Sequence, residues 1–544
     1  MNLRSMRLHR PAHQASKSLT RGVLTSVRKS FAPQNALLHK FLLPCMAENA
    51  DKPAVIDYVT KAVCTHGQVA DYVGKVARKM LDWGVKPGDH VALSSFNHIH
   101  YFPVQLGIIA AGGRVALCNP GYTGREVDHL FTTAGVSRVI GHPNNKDAVN
   151  DAVKRLNLPD PLDITNVLEQ SKDFSSELPD IEMDIHDTCA LFYSSGTTGF
   201  PKAVEITHDN FVSQCMMLDD PACFNFTPET VNNGFLPSFH VYGSVVGAHV
   251  LHKGASSINL DGFNPVTFLG AIQDYKISFA TVVPPIMVFL AKHPMVDDYD
   301  LSSLTDLVSA AAPLSEQLEN EVKARLNNDK LKFRQGYGLS ETTAASHYLS
   351  RLDPEKPGSI GSIGNNAETK VVDVETGEEV GVGQPGEIYI KGPCVMKGYF
   401  NNPSATAETF SEDGFLKTGD IGYYDEDGDF FIIDRLKELI KVKGFQVAPA
   451  ELEALLLEHP LIADAAVIGI PDERAGERPK AFVVKRPGVD LDEDGVKEFV
   501  KEHASDYKIP GEVEFIDVVP KLPSGKIQRK ILRAAEQAKR EAKQ

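Results

Sequence analysis

Apolar positions recur at helical spacing over 68–83, where Val69, Tyr72, Val73, Val76 and Met80 share a face. Gly84 and Lys86-Pro87-Gly88-Asp89 end that helix ahead of the strand-like Val91-Ala92-Leu93. The alternation repeats: helical 104–112 precedes Val115-Ala116-Leu117, helical 267–274 precedes an apolar run at 277–283, and helical 316–326 precedes 331–333. Helices alternating with short apolar runs predict parallel sheets in an α/β fold, whose ligands sit at the carboxyl ends of the strands. From about residue 368 the pattern becomes short segments (370–374, 387–390, 422–424, 430–433) punctuated by Gly377 and Asp427-Gly428. These predict a small antiparallel, β-barrel-like subdomain. Helix and strand mix again after Asp434. The predicted architecture is a large N-terminal domain, 35–433, of two parallel-rich α/β subdomains plus the barrel-like one, and a small α+β C-terminal domain, 434–544.

No run of about 18 apolar residues occurs, so no transmembrane helix is expected. The net charge of −16 argues against nucleic acid as the main partner. Seven scattered cysteines, with no CxxC and no metal-ligand spacing, fit free thiols in a reducing interior. The first 34 residues differ from the rest: they hold seven Arg or Lys and no acid, and the first carboxylate is Glu48. On a helical projection Leu19, Val23, Val27 and Phe31 form one stripe with Lys17, Arg21 and Arg28 opposite. A basic, Ser-bearing, acid-free leader of this kind reads as a mitochondrial transit peptide over 1–34 and a matrix location; a disordered basic tail on a cytoplasmic protein is the alternative. The terminal Glu-Ala-Lys-Gln is not the Ser-Lys-Leu peroxisomal address.

The chemistry gathers in short motifs. Cys189-Ala190-Leu191-Phe192-Tyr193 reads as a buried strand feeding Ser194-Ser195-Gly196-Thr197-Thr198-Gly199-Phe200-Pro201-Lys202. Its glycines let backbone N–H groups converge, its hydroxyls add donors, and its lysine adds a point charge, a combination suited to a polyphosphate. The GxxxxGK[ST] nucleotide loop does not occur. Ala310, Ala311 and Ala312, after Ser309, lack bulk, so a flat purine can lie against the backbone, and Tyr337 offers an aromatic face. Gln335-Gly336-Tyr337-Gly338-Leu339-Ser340-Glu341 brings a phosphate-binding hydroxyl and, in Glu341, a hard oxygen ligand for Mg²⁺. Asp420 can accept from two ribose hydroxyls, and Arg435 offers a donor fork near the same sugar.

These motifs, together with Thr418-Gly419-Asp420, Asp434-Arg435-Leu436-Lys437 and Pro523-Ser524-Gly525-Lys526, resemble in kind, order and spacing those of the adenylate-forming superfamily over about 54–532. That superfamily comprises acyl-CoA synthetases, 4-coumarate–CoA ligases, beetle luciferases and peptide-synthetase adenylation domains. The resemblance implies that ATP and a small carboxylic acid give acyl-AMP and pyrophosphate, and that coenzyme A then takes the acyl group. It implies that Lys526 bridges carboxylate and phosphate, that Thr198 and Glu341 hold Mg²⁺, and that the small domain is mobile. Swinging about Asp434, it would present Lys441, Lys443, Gly444 and Gln446 to coenzyme A for the second step. Leu236-Pro237-Ser238-Phe239-His240-Val241-Tyr242-Gly243 resembles the acyl-pocket segment of 4-coumarate–CoA ligases and luciferases. His240 is expected at the entrance of the acid site, with Val241, Tyr242, Gly338 and Thr342 along its wall. Beetle luciferases carry a second histidine where this chain has Val241, which sets a luciferase-type oxygenase behind an acid–CoA ligase. The leader favours a medium- or long-chain fatty acid as substrate, with an arylpropenoic acid as the alternative.

Overall fold

The computed structural model describes residues 22–194, 201–312, 314, 316–442, 445–472, 476–504, 506–522 and 525–541, the side chains at 441, 445, 446 and 476 excepted. The predicted alternation is present. Helix His66–Asp82 starts at a capping box between Thr65 and Gln68 and is followed by strand His90–Ser94; helix Tyr101–Ala110 is followed by strand Arg114–Cys118. Two large sheets result. One has seven strands, parallel at its centre. The other has nine, its parallel core running through Phe279–Val282, Asp306–Ser309 and Lys332–Leu339. A five-stranded antiparallel sheet, ending in Leu416–Tyr424 and Phe430–Arg435, forms the barrel-like subdomain. The C-terminal residues make a further sheet with apolar cores of their own around Val467, Ala481 and Phe482, as expected of a separate folding unit. No helix among the described residues is long and apolar enough to cross a membrane.

Two sequence expectations change. Residues 22–34, placed on a helical projection, run extended instead. Leu24–Thr25 pairs antiparallel with Glu368–Val372, and Asn365 and Asn366 bond the backbone at Lys29 and Phe31. An edge strand gives these backbone groups sheet partners that a helix of basic residues would otherwise have to supply alone. Residues 1–21 of the expected leader lie outside the described residues.

The second change is at the domain junction. Strand Phe430–Arg435 continues through the expected boundary at 433/434, with Asp420 opposite Arg435, and Leu436 N–H donates to the Gly419 carbonyl at 2.8 Å. The Asp434 carboxylate, however, is buried and accepts from Ala450 N–H at 2.8 Å, at the start of helix Pro449–Glu458. Glu438 pairs with Arg533 in the last helix. The junction is thus stitched by its backbone to the barrel sheet and by its side chains to the small domain.

Helix Val241–His252 is locked tightly. His240 caps its start through Nδ1, accepting from Tyr242 N–H, and a Cβ at Gly243 would overlap the Pro237 carbonyl. Gly243→Ala is therefore expected to lower stability by roughly 1–3 kcal/mol through overpacking, read as a fall in the thermal unfolding midpoint with the far-ultraviolet spectrum retained.

Candidate active site

A cavity of about 530 Å³ opens where the carboxyl ends of the parallel strands of both large sheets meet the barrel sheet and the C-terminal domain. Its walls come from the three sheets of the large domain and the loops beside them, including Ser194 and Lys202, Ala310 and Ala311, residues 334–341, and Gly419 and Arg435, with Lys526 added by the C-terminal domain.

The phosphate end is built on a hairpin. Thr188–Ser194 and Lys202–Thr207 pair antiparallel with Ser194 opposite Lys202. Ser195, Gly196, Thr197, Thr198 and Gly199 lie outside the described residues. Lys202 Nζ lies 4.7 Å from the centre of the Tyr399 ring, and Tyr399 OH donates to Glu341 Oε1 at 2.8 Å. Tyr399, on the short strand Gly398–Tyr399 beside Lys202–Thr207, thus joins the lysine to the carboxylate. A lysine and an oriented hard-oxygen donor on one wall fit Mg²⁺ with polyphosphate. Glu341, and Thr198 on the resemblance, would hold the ion, which neutralises phosphate charge when bound.

In the wall where a ribose is expected, Tyr337 OH donates to Asp420 Oδ2 at 2.7 Å, and Arg435 Nε lies 3.2 Å from Asp420 Oδ1. Burial and the adjacent Asp420 carboxylate push the Tyr337 phenol well above its ordinary value, so it stays a donor. Ala311 holds φ +77° in the left-handed region, strain that keeps its backbone close to the cavity. Gly338 has no room for a Cβ, which would overlap the Ala344 carbonyl. Ser340, Leu339 and Gly336 line the same wall.

Two expected residues stand elsewhere, and a third is otherwise engaged. Thr342 is fully buried and absent from the acid wall: its Oγ1 accepts from Leu339 N–H at 2.8 Å and donates to the Ala344 carbonyl, closing the turn that presents Glu341. Gln335 reaches the cavity but spends its amide on Glu319 at 2.7 Å. Ala312 is not part of the lining. Lys443 and Gly444 lie outside the described residues, as do the side chains of Lys441 and Gln446.

Lys526 enters from the small domain on a tight turn, in which Leu522 N–H donates to the Lys526 carbonyl and Gly525 N–H to the Leu522 carbonyl. Gly525 has φ +80°, and a Cβ there would come within 2.5 Å of Pro285 in the large domain. Burial, and then the Arg435 guanidinium, lower the Lys526 ammonium to about 8, against the pull of Asp420 and Glu341. His240 shares this end of the cavity. Burial, and then Lys526, lower it to about 4, so it is neutral near pH 7. With Nδ1 accepting from Tyr242, the ring proton is assigned to Nε2, a donor suited to a carboxylate oxygen.

A lysine beside an oriented carboxylate, a tyrosine-bound carboxylate and one ammonium from the small domain meet around this cavity, a set that suits an enzyme making acyl adenylates. The family described as AMP-binding enzyme matches residues 45–400, and its C-terminal domain matches 451–526. The chain belongs to this adenylate-forming family and is an AMP-forming acid–thiol ligase that uses ATP, Mg²⁺ and coenzyme A. It is 40% identical over 521 residues to 4-coumarate–CoA ligase 2 of Petroselinum crispum, covering 93% of this chain and 95% of that one. It is 40% identical over 519 residues to 4-coumarate–CoA ligase 2 of Nicotiana tabacum, with the same coverage. Among solved structures, ATP-bound MatB from Rhodopseudomonas palustris superposes with a TM-score of 0.84 at 27% identity over 92% of this chain and 99% of that one. The anthranilate CoA ligase AuaEII with anthranoyl-AMP superposes at 0.85 and 25% identity, over 93% and 98%.

Two outcomes follow from the Lys526 geometry. Because its pKa is lowered, the charge is present below about pH 8 and lost above it. Acyl-AMP formation should fall as pH rises through about 8, and Arg435→Met should move that limb upward, read from the pH profile of pyrophosphate release. Gly525→Ala should slow acyl-AMP formation by roughly tenfold or more while leaving thioester formation from supplied acyl-AMP within about twofold, since its clash is with Pro285 in this docked arrangement.

Proposed function

We propose that the acid is an arylpropenoic acid bearing an oxygen substituent on its ring, activated as its AMP ester and passed to coenzyme A. The acid carboxylate attacks the α-phosphate of ATP, forming a C–O–P bond as pyrophosphate leaves. Two anions meet in that step, so positive charge and orientation matter more than proton transfer. Lys526 and the Nε2–H of His240 mark where the carboxylate sits.

Beyond them the lining turns aromatic, with Phe224, Phe239 and Tyr242, and includes one buried cation, Arg334. That residue carries the reading. Arg334 is 2% exposed, donates to Asp306 Oδ1 at 2.8 Å and to the Cys223 carbonyl at 2.5 Å, and keeps a buried Nε–H with no acceptor. Leaving such a donor unpaired costs about 1–3 kcal/mol. Because Arg334 lines the cavity, its guanidinium makes this end polar, which suits a phenolic oxygen better than a saturated alkyl tail. A cavity of about 530 Å³ shared with a nucleotide also favours a short planar acid over a long chain. The two relatives named as 4-coumarate–CoA ligases support the same class.

A pyrophosphate-release panel tests it. Hydroxylated arylpropenoates should exceed cinnamate by about tenfold in kcat/KM and exceed saturated acids of graded length by more. Arg334→Met should erase the preference for the hydroxyl. Fatty acids turning over faster than every aryl acid would overturn the reading.

A further inference from the structure

The stretch 22–34 was expected to be discarded with a leader, yet it is fastened to the body at many points. Besides the strand pairing and the Asn365 and Asn366 bonds, Ser26 N–H donates to the Ala367 carbonyl at 3.2 Å, and Ser26 Oγ donates to the Ile363 carbonyl at 3.2 Å. These contacts set Arg28 over Tyr348, its guanidinium carbon 4.3 Å from the ring centre. Arg28 Nη2 also donates to Ser362 Oγ at 3.1 Å and to the Tyr348 carbonyl at 3.4 Å.

Tyr348 is 4% exposed and lines the cavity with Arg334 and Cys223. The charge of Arg28 is felt at both Tyr348 and Cys223. On the far side, Tyr348 OH donates to Asn365 Oδ1 at 2.6 Å, and Asn365 donates to the Lys29 carbonyl, closing a loop of contacts from the strap through the cavity wall and back. A cation stacked on one face of an aromatic ring fixes the other face as a wall.

We infer that the N-terminal strap is part of the acid site: Arg28 is a positioning residue that holds Tyr348 against the tail of the bound acid, so any removable leader ends before Leu24, where the strap's pairing with the sheet begins. This rests on the acid tail lying at the end of the cavity lined by Arg334 and Tyr348, and not on which acid it is.

The test uses the full chain with whichever acid performs best in the wild-type panel, so that a wrong acid class shows in the panel and a wrong strap role shows here. Arg28→Ala should raise KM for the acid by about three- to tenfold. KM for ATP and coenzyme A should stay within about twofold, and Arg28→Lys, which keeps a cation over the ring, should recover most of the loss. An unchanged acid KM in Arg28→Ala, or an equal rise for all three substrates, would overturn the inference. The N-terminus of the protein recovered from its own cells should be found at or before Leu24; a start beyond it would overturn the inference too.

Discussion

The structure depends on one unfavourable placement: an ammonium held close to a guanidinium and largely out of water. Lys526 and Arg435 repel, and burial of the ammonium adds to the cost. The Asp420 and Glu341 carboxylates offset the repulsion in part, and the chain supplies the rest through geometry. The 521–527 turn is closed by backbone bonds, and its glycine abuts Pro285. A cation kept under this tension is a strong electrostatic partner for two approaching anions and a weak one for anything else. Its turn belongs to a domain with its own apolar cores.

The remaining walls are stiff where Lys526 is deliverable. Ala311, Thr343 and Ala344 all hold positive φ, and Gly338 lies against the Ala344 carbonyl. These costs are concentrated in segments at the cavity wall, and the sheets behind them supply the compensating packing. Thr342, Asn365 and the capping Asp434 do no chemistry in this arrangement; they hold the groups that do.

Much of this was legible in the residues. The alternation of helix and strand foretold the two large sheets, and the order of the motifs foretold which loops converge, because loops at carboxyl ends of parallel strands share one rim. What was hidden depended on distance in the chain. Tyr399 carries no motif of its own; it matters because a two-residue strand beside Lys202 brings its hydroxyl to Glu341. Arg334 reads as a strand residue until its burial and its empty Nε–H are seen. Thr342 looked like a pocket residue because its neighbours are, yet alternation within a tight turn sends its side chain inward. The 22–31 stretch has an amphipathic stripe at helical spacing, but sheet pairing with a partner more than 300 residues away overrides a local period.

The strand Lys332–Leu339 serves two customers at once. Arg334 lines the end of the cavity proposed for the acid, and Tyr337, three positions on and so on the other face of the strand, donates to Asp420 where a ribose is proposed. Glu341 follows within one turn. The span from Arg334 to Glu341 therefore behaves as a ruler laid between two ligands. Exchanging the side chain at 334 can retune which acid is accepted, but adding or removing a single residue would invert every face beyond it. Diversification of this enzyme along that segment is confined to spelling and closed to length.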